Sequence, residues 1–165
     1  MVHLICMLIA AVPLHVAPPG DTAAADPFAM SAWEMFKRGT SDGHLAYIRG
    51  NTALRALKER QRFPYRAGFA VTFAKPNRFG LPGDDEARDL TTLENEIDRS
   101  MSGKRLGFLA LVITTGGMRE YVFYSNQPDA VRKLMKKMGN RVHGREVRTY
   151  VSADPAWEVY DRFTQ

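Results

Sequence analysis

Apolar and polar residues follow one another along this chain in two rhythms, and the switches between them outline a fold. Over residues 66–74 they alternate, with Ala67, Phe69, Val71 and Phe73 on one side and Gly68, Ala70, Thr72 and Ala74 on the other. This is the two-residue period of a half-buried strand. Over residues 84–101 the period lengthens. Leu90, Leu93, Ile97 and Met101 recur at three- and four-residue spacings behind Asp84, Asp85 and Glu86, which predicts a long amphipathic helix whose acidic first turn complements its dipole. Gly103 ends it. Residues 106–114 follow as a central strand, with Phe108, Leu109, Leu111, Val112 and Ile113 filling both faces. Gly116-Gly117 permits a tight hairpin into a strand over 119–124. Pro128 opens a second helix with Val131, Leu134, Met135 and Met138 on its apolar stripe, and Gly139-Asn140 stops it. A strand over 145–151 and a short helix complete the chain. Asp154 is read as that helix's cap and Pro155 as its first residue, with Trp157, Tyr160 and Phe163 turned to the core.

Upstream, residues 33–36 and 45–49 read as short strands joined by a Ser41-Asp42-Gly43 turn. Asn51 is read as the cap of a helix with Ala53, Leu54 and Leu57 on its apolar face, stopped by Pro64. From residue 66 onward the order is strand, helix, strand, strand, helix, strand, then a terminal helix. That is the split βαβ, ferredoxin-like arrangement. The expectation is therefore an α+β sandwich with both amphipathic helices on one face of an antiparallel sheet, and with an N-terminal β-hairpin and helix added. The other face needs a cover, for which the hairpin and helix, the terminal helix with Trp157, or a partner are candidates.

Composition changes this picture mainly at the N-terminus. The chain has 165 residues, 45% hydrophobic and 25% charged, with 23 Lys and Arg against 18 Asp and Glu. Residues 1–30 hold no Lys or Arg and two acids, Asp21 and Asp26, leaving 23 basic and 16 acidic residues, a net +7, on the remainder. We therefore divide the chain into a leader, residues 1–30, and one α+β domain, residues 31–165. The leader's apolar run and its Ala23-Ala24-Ala25 tract have the form of a secretory signal, while Met30 offers an alternative start. The domain is exported if residues 1–25 are a signal peptide and cytoplasmic if the chain starts near Met30. Cys6, the one cysteine, lies in the leader, so the domain has no disulfide and no cysteine-based metal centre. No apolar stretch within the domain is long enough to span a bilayer.

Several short motifs stand in order along the domain: Arg49-Gly50-Asn51, Phe63-Pro64-Tyr65, Gly80-Leu81-Pro82, Glu94 within the long helix, Thr114-Thr115-Gly116-Gly117-Met118-Arg119-Glu120, and Asp154-Pro155-Ala156-Trp157-Glu158-Val159-Tyr160. In this order and spacing the chain resembles the bacterial family called domain of unknown function 695, over about residues 33–163. The resemblance implies a fold similar to that of the regulators of ribonuclease E activity, small ferredoxin-like proteins that act by binding the nuclease. It implies no established chemistry.

The candidate chemistry is sparse. Gly39-Thr40-Ser41-Asp42-Gly43 fits the G-x-S-x-G pattern of a hydrolase elbow, but it lies between two short strands, where a hairpin turn accounts for its residues. Asp84, Asp85, Glu86 and Asp89 carry hard-cation ligands, yet acids in a first helical turn serve the dipole. No metal and no cofactor is expected. Glu94, at the margin of the apolar stripe, needs a partner, and Arg119 is our candidate. Asp154 and Trp157 read as fold closure or a binding patch. Tyr121 and Tyr124, with Phe123 and Tyr150, are candidates for an RNA-stacking platform. Arg132, Lys133, Lys136 and Lys137 form a basic helix face suited to an acidic partner. No catalytic constellation emerges, so the leading expectation is a non-catalytic binding or regulatory module acting through contact with an acidic protein. A single-stranded RNA-binding module is the alternative, and a small hydrolase the third.

Overall fold

The computed structural model describes residues 25–39 and 45–165. Six strands form one antiparallel sheet: β1 (Trp33–Gly39), β2 (Leu45–Asn51), β3 (Tyr65–Thr72), β4 (Phe108–Thr115), β5 (Met118–Ser125) and β6 (Val147–Ala153). Their order across the sheet is β1-β2-β4-β5-β3-β6. Three helices accompany them, α1 (Asp84–Ser102), α2 (Pro128–Gly139) and α3 (Glu158–Thr164). The architecture is α+β.

The periodicities act as physical instructions here. Alternation in β3 sends Ala67, Phe69 and Val71 to one face, where with Phe73 just beyond the strand they meet Leu90, Ile97 and Met101 of α1 and Val131, Leu134, Met135 and Met138 of α2. We call this the helical face. Gly68 and Ala70, on the opposite face of β3, are also buried, so the strand is closed on both sides rather than half-exposed. At the β4–β5 turn both Gly116 and Gly117 have positive φ, 54° and 83°, the backbone that a two-residue hairpin with right-handed twist demands.

The second core lies under the opposite face. Ile48, Ala110, Leu111, Ile113, Val122 and Tyr124 of the sheet pack there against Leu54, Leu57, Phe63, Trp157 and Tyr160. Of the candidate covers, the terminal helix with Trp157 and the segment that follows Asn51 are the ones found here. The N-terminal hairpin does not lie over this face; it extends the sheet, β2 pairing with β4 through Arg49 opposite Val112. The helix expected after Asn51 is reduced to short 3-10 turns at Thr52–Ala56 and Arg60–Arg62. Asn51 makes no side-chain cap. Its carboxamide instead accepts the Ala32 N–H at 3.0 Å and donates to the Met30 carbonyl at 2.8 Å. Residues just inside the sequence-drawn leader thus touch the fold, and Phe28 packs edge-on against Phe108.

The terminal helix also starts later than expected, at Glu158, because Trp157 adopts left-handed geometry with φ 60° and ψ 33°. Pro155 sits instead in a turn closed by the Trp157 N–H on the Asp154 carbonyl at 3.1 Å, where its fixed φ suits the second position. The Gly39-Thr40-Ser41-Asp42-Gly43 motif falls largely outside the described residues, as does His44. Among the described residues no helix is long and apolar enough to cross a membrane.

Candidate functional site

Because β1 and β2 prolong the sheet beyond β4, the helical face is wider than α1 and α2 can cover. Alternation carries every second residue of the added strands to that face: Met35 lies opposite Arg49, and Lys37 opposite Tyr47. Across β4 and β5 the row continues, with Tyr47 opposite Thr114 and Thr114 opposite Arg119. The result is a groove of about 390 Å³ floored by these strands and walled by Ala87 and Thr91 of α1 and by Leu81 and Pro82.

The loop wall is fixed by backbone geometry. Gly80, at φ 71°, donates its N–H to Asn77, and its carbonyl accepts the Gly117 N–H at 3.0 Å. A Cβ on Gly80 would stand 3.1 Å from the Gly117 nitrogen. The Asn77 side chain accepts the Phe79 and Leu81 N–H groups at 2.9 and 3.1 Å. Glu86 of α1 accepts the Ala74 N–H at 2.6 Å. Loop, hairpin and helix are therefore tied together where Leu81 and Pro82 face the groove.

Two guanidinium groups enter it, in different states. Arg49 donates to Glu94 from α1 and lies 5.1 Å from the centre of the Trp33 ring. Its Nε is buried without a hydrogen-bond partner. The Glu94 side chain is 11% exposed and that of Arg49 37%, so the pair is closed from the helix side and open toward the groove. Arg119 donates Nε–H to the Thr114 hydroxyl at 3.1 Å and makes no ion pair with any carboxylate among the described residues. The expected Glu94–Arg119 pair is thus replaced by Glu94–Arg49, because β2, once added to the sheet edge, delivers a competing guanidinium to the same carboxylate.

The other predicted residues divide into core and surface. Tyr121 lies fully buried beneath the groove and donates its hydroxyl to the Leu90 carbonyl at 2.6 Å; burial drives its phenol well above its ordinary range. Tyr124 is buried on the opposite face, stacked on Trp157 at 3.9 Å between ring centres. It donates to Asp154 at 2.7 Å, and burial, then Asp154, push its ionisation up. Trp157 donates its indole N–H to the Arg60 and Phe63 carbonyls, each at 3.1 Å. Tyr121, Phe123 and Tyr124 therefore cannot serve as a stacking platform for bases: all three rings are inside. Arg132, Lys133, Lys136 and Lys137 are exposed on the outer side of α2 and do not contribute to the groove.

Of the acids in the first turns of α1, Glu86 and Asp89 face Arg145 at 3.4 and 3.5 Å, and Asp85 pairs with Arg88. Among the described residues no three His, Cys, Asp or Glu side chains group so as to hold a metal ion. Sequence reasoning missed Met35, Tyr47 and Arg49 as groove residues. The two-residue spacing of Tyr47 and Arg49 was visible, but the face they share with Met35 depends on the pairing of β2 with β1 and β4.

The order of motifs along these elements has a family counterpart. A model described as "Family of unknown function (DUF695)" matches residues 31–164. The chain belongs to this family. The match takes in the whole groove of this DUF695 member, from Met35 to Arg119. No curated protein and no solved structure matches the chain significantly.

Proposed function

We propose that this DUF695 member is a non-catalytic binding module whose groove receives an acidic segment of a partner protein. The observation that carries the reading is Arg119, a guanidinium without a carboxylate, set among Leu81, Pro82, Val112 and Met35. A fixed cation flanked by apolar walls suits a ligand with one acid and neighbouring hydrophobic groups. Met35 at 60% exposed and Trp33 at 38% are the large apolar side chains that such a segment would cover at the groove's edge. The acid beside the groove, Glu94, is engaged by Arg49, which favours binding over proton transfer. A ferredoxin-like core for residues 65–153 belongs to the same reading, supported by the strand order β4-β5-β3-β6 and by α1 and α2 sharing one face. Such a core leaves the extra strands β1 and β2 as the element that creates the seat.

Calorimetric titration of an acetylated, amidated peptide with one Glu between leucines tests it. Binding to the wild type that falls at least about tenfold in Arg119→Gln, the loss expected for a charge-assisted hydrogen bond, supports the reading. No binding, or a preference for a single-stranded oligonucleotide of equal charge, overturns it.

A further inference from the structure

Resting on that reading of the groove, we propose that Glu94 is its specificity-determining residue: by engaging Arg49 it leaves Arg119 alone to meet the ligand, so the groove takes a singly charged carboxylate and rejects a phosphate dianion. Glu94 projects from the buried stripe of α1 and meets Arg49, a residue 45 positions earlier in the chain. Arg49 is nevertheless open toward the groove on its other side and carries an unpartnered Nε. The charges that line the groove are the two guanidiniums of Arg49 and Arg119; Glu94 behind Arg49 neutralises one of them, which leaves a net single positive charge on the lining for an incoming anion, with Lys37 outside the lining over the Tyr47 ring.

A phosphate monoester near neutral pH carries between one and two negative charges on three acceptor oxygens, and its tight sites use more than one cation. Here the second cation is occupied, and the Glu94 carboxylate adjoining it repels the second ligand charge. A ligand carboxylate needs no second cation and, with a single charge, meets the weaker repulsion. Glu94 thereby does from within the chain what a bound anion would otherwise do, and phosphoserine in a partner segment would bind less tightly than glutamate at the same position.

The experiment compares the Glu peptide above with the same peptide carrying phosphoserine at the central position, and with free hexanoate. Titrants are wild type, Glu94→Gln, and the double variant Arg49→Gln/Glu94→Gln, each checked for native circular dichroism. The wild type should bind the Glu peptide at least about tenfold more tightly than the phosphoserine peptide, one charge-assisted bond's worth. Glu94→Gln should cut that ratio at least about tenfold by releasing Arg49, and the gain should vanish in the double variant. A wild-type preference for phosphoserine overturns the inference without any variant. So does a Glu94→Gln ratio within twofold of wild type. Wild type that binds neither peptide nor hexanoate overturns the groove reading and this inference together. Hexanoate binding as tightly as the Glu peptide keeps the carboxylate selectivity and transfers it from a protein segment to a small free acid.

Discussion

Asp154→Ala should be among the most damaging single changes in this protein, and its cost can be worked out from the contacts. Asp154 is 8% exposed. One carboxylate oxygen accepts the Glu158 N–H at 2.8 Å, and the other accepts the Tyr124 hydroxyl at 2.7 Å and, more weakly, the Val159 N–H at 3.4 Å. Hydrogen bonds to a charged group contribute about 1.5–3 kcal/mol each, and loss of a helix cap costs about 1 kcal/mol. These overlap, since the freed N–H groups of α3 can reach water while the Tyr124 hydroxyl cannot. We expect a loss of about 3–4 kcal/mol for Asp154→Ala and about 1–2 kcal/mol for Asp154→Asn, which keeps an acceptor oxygen. Tyr124→Phe should cost about 1 kcal/mol. The double variant Asp154→Ala/Tyr124→Phe should cost less than the sum of the singles by about 1 kcal/mol, because no hydroxyl proton is then left without an acceptor. Urea unfolding, followed in the near ultraviolet where the stacked Tyr124–Trp157 pair reports, measures all four. A cost for Asp154→Ala within about 0.5 kcal/mol, the usual range of an indifferent surface change, or strict additivity in the cycle, would refute the argument.

Two further expectations concern the sheet. Gly68 faces the Tyr150 ring so closely that an added Cβ would lie 2.1 Å from Cε1; Gly68→Ala should therefore displace Tyr150 from its 2.5 Å bond to Glu120 and cost about 1–3 kcal/mol by overpacking, read as a lowered urea midpoint. Tyr121, Tyr124 and Tyr150 all have ionisations raised above the ordinary 10.0, each chiefly by burial. Below pH 10 folded and unfolded chains both hold these protons and the contribution is constant; above it the unfolded chain releases them first, so stability should fall by about 1.4 kcal/mol per pH unit for each tyrosine. Tyrosinate absorbance should then rise together with loss of far-ultraviolet circular dichroism, and three tyrosines ionising well before unfolding would contradict the assigned burial.

Much of the fold was legible because it is locally encoded. The alternation of β3, the stripe of α1, the stripe of α2 bounded by Pro128 and Gly139, and the Gly116-Gly117 turn each follow from residues within one element, and each forms where expected. The expectations that changed depended on remote contacts. The stretch after Asn51 has helical spacing, but the Asn51 carboxamide is drawn to Met30 and Ala32, and the backbone winds only into 3-10 turns. Asp154 was recognisable as a cap residue, yet the left-handed Trp157 pushes the helix start beyond the expected turn.

The site was half legible for the same reason. Glu94 at the margin of an apolar stripe announces a need for a partner, and Arg119 is near in topology. Which guanidinium wins is decided by the edge pairing of β2 with β4, a register that no local pattern in residues 45–51 specifies. Tyr121 and Tyr124 illustrate the converse: aromatics alternating along a strand indicate two faces, and only the layers packed on those faces make both rings internal.

The most direct test of the groove as the binding seat is amide chemical-shift mapping of the isotope-labelled full chain during titration with the Glu peptide. The account predicts shifts concentrated at Met35, Tyr47, Arg49, Leu81, Thr91, Thr114 and Arg119, around the groove of about 390 Å³. Shifts gathered instead along Arg132, Lys133, Lys136 and Lys137 of α2, or none at saturating peptide, would contradict it.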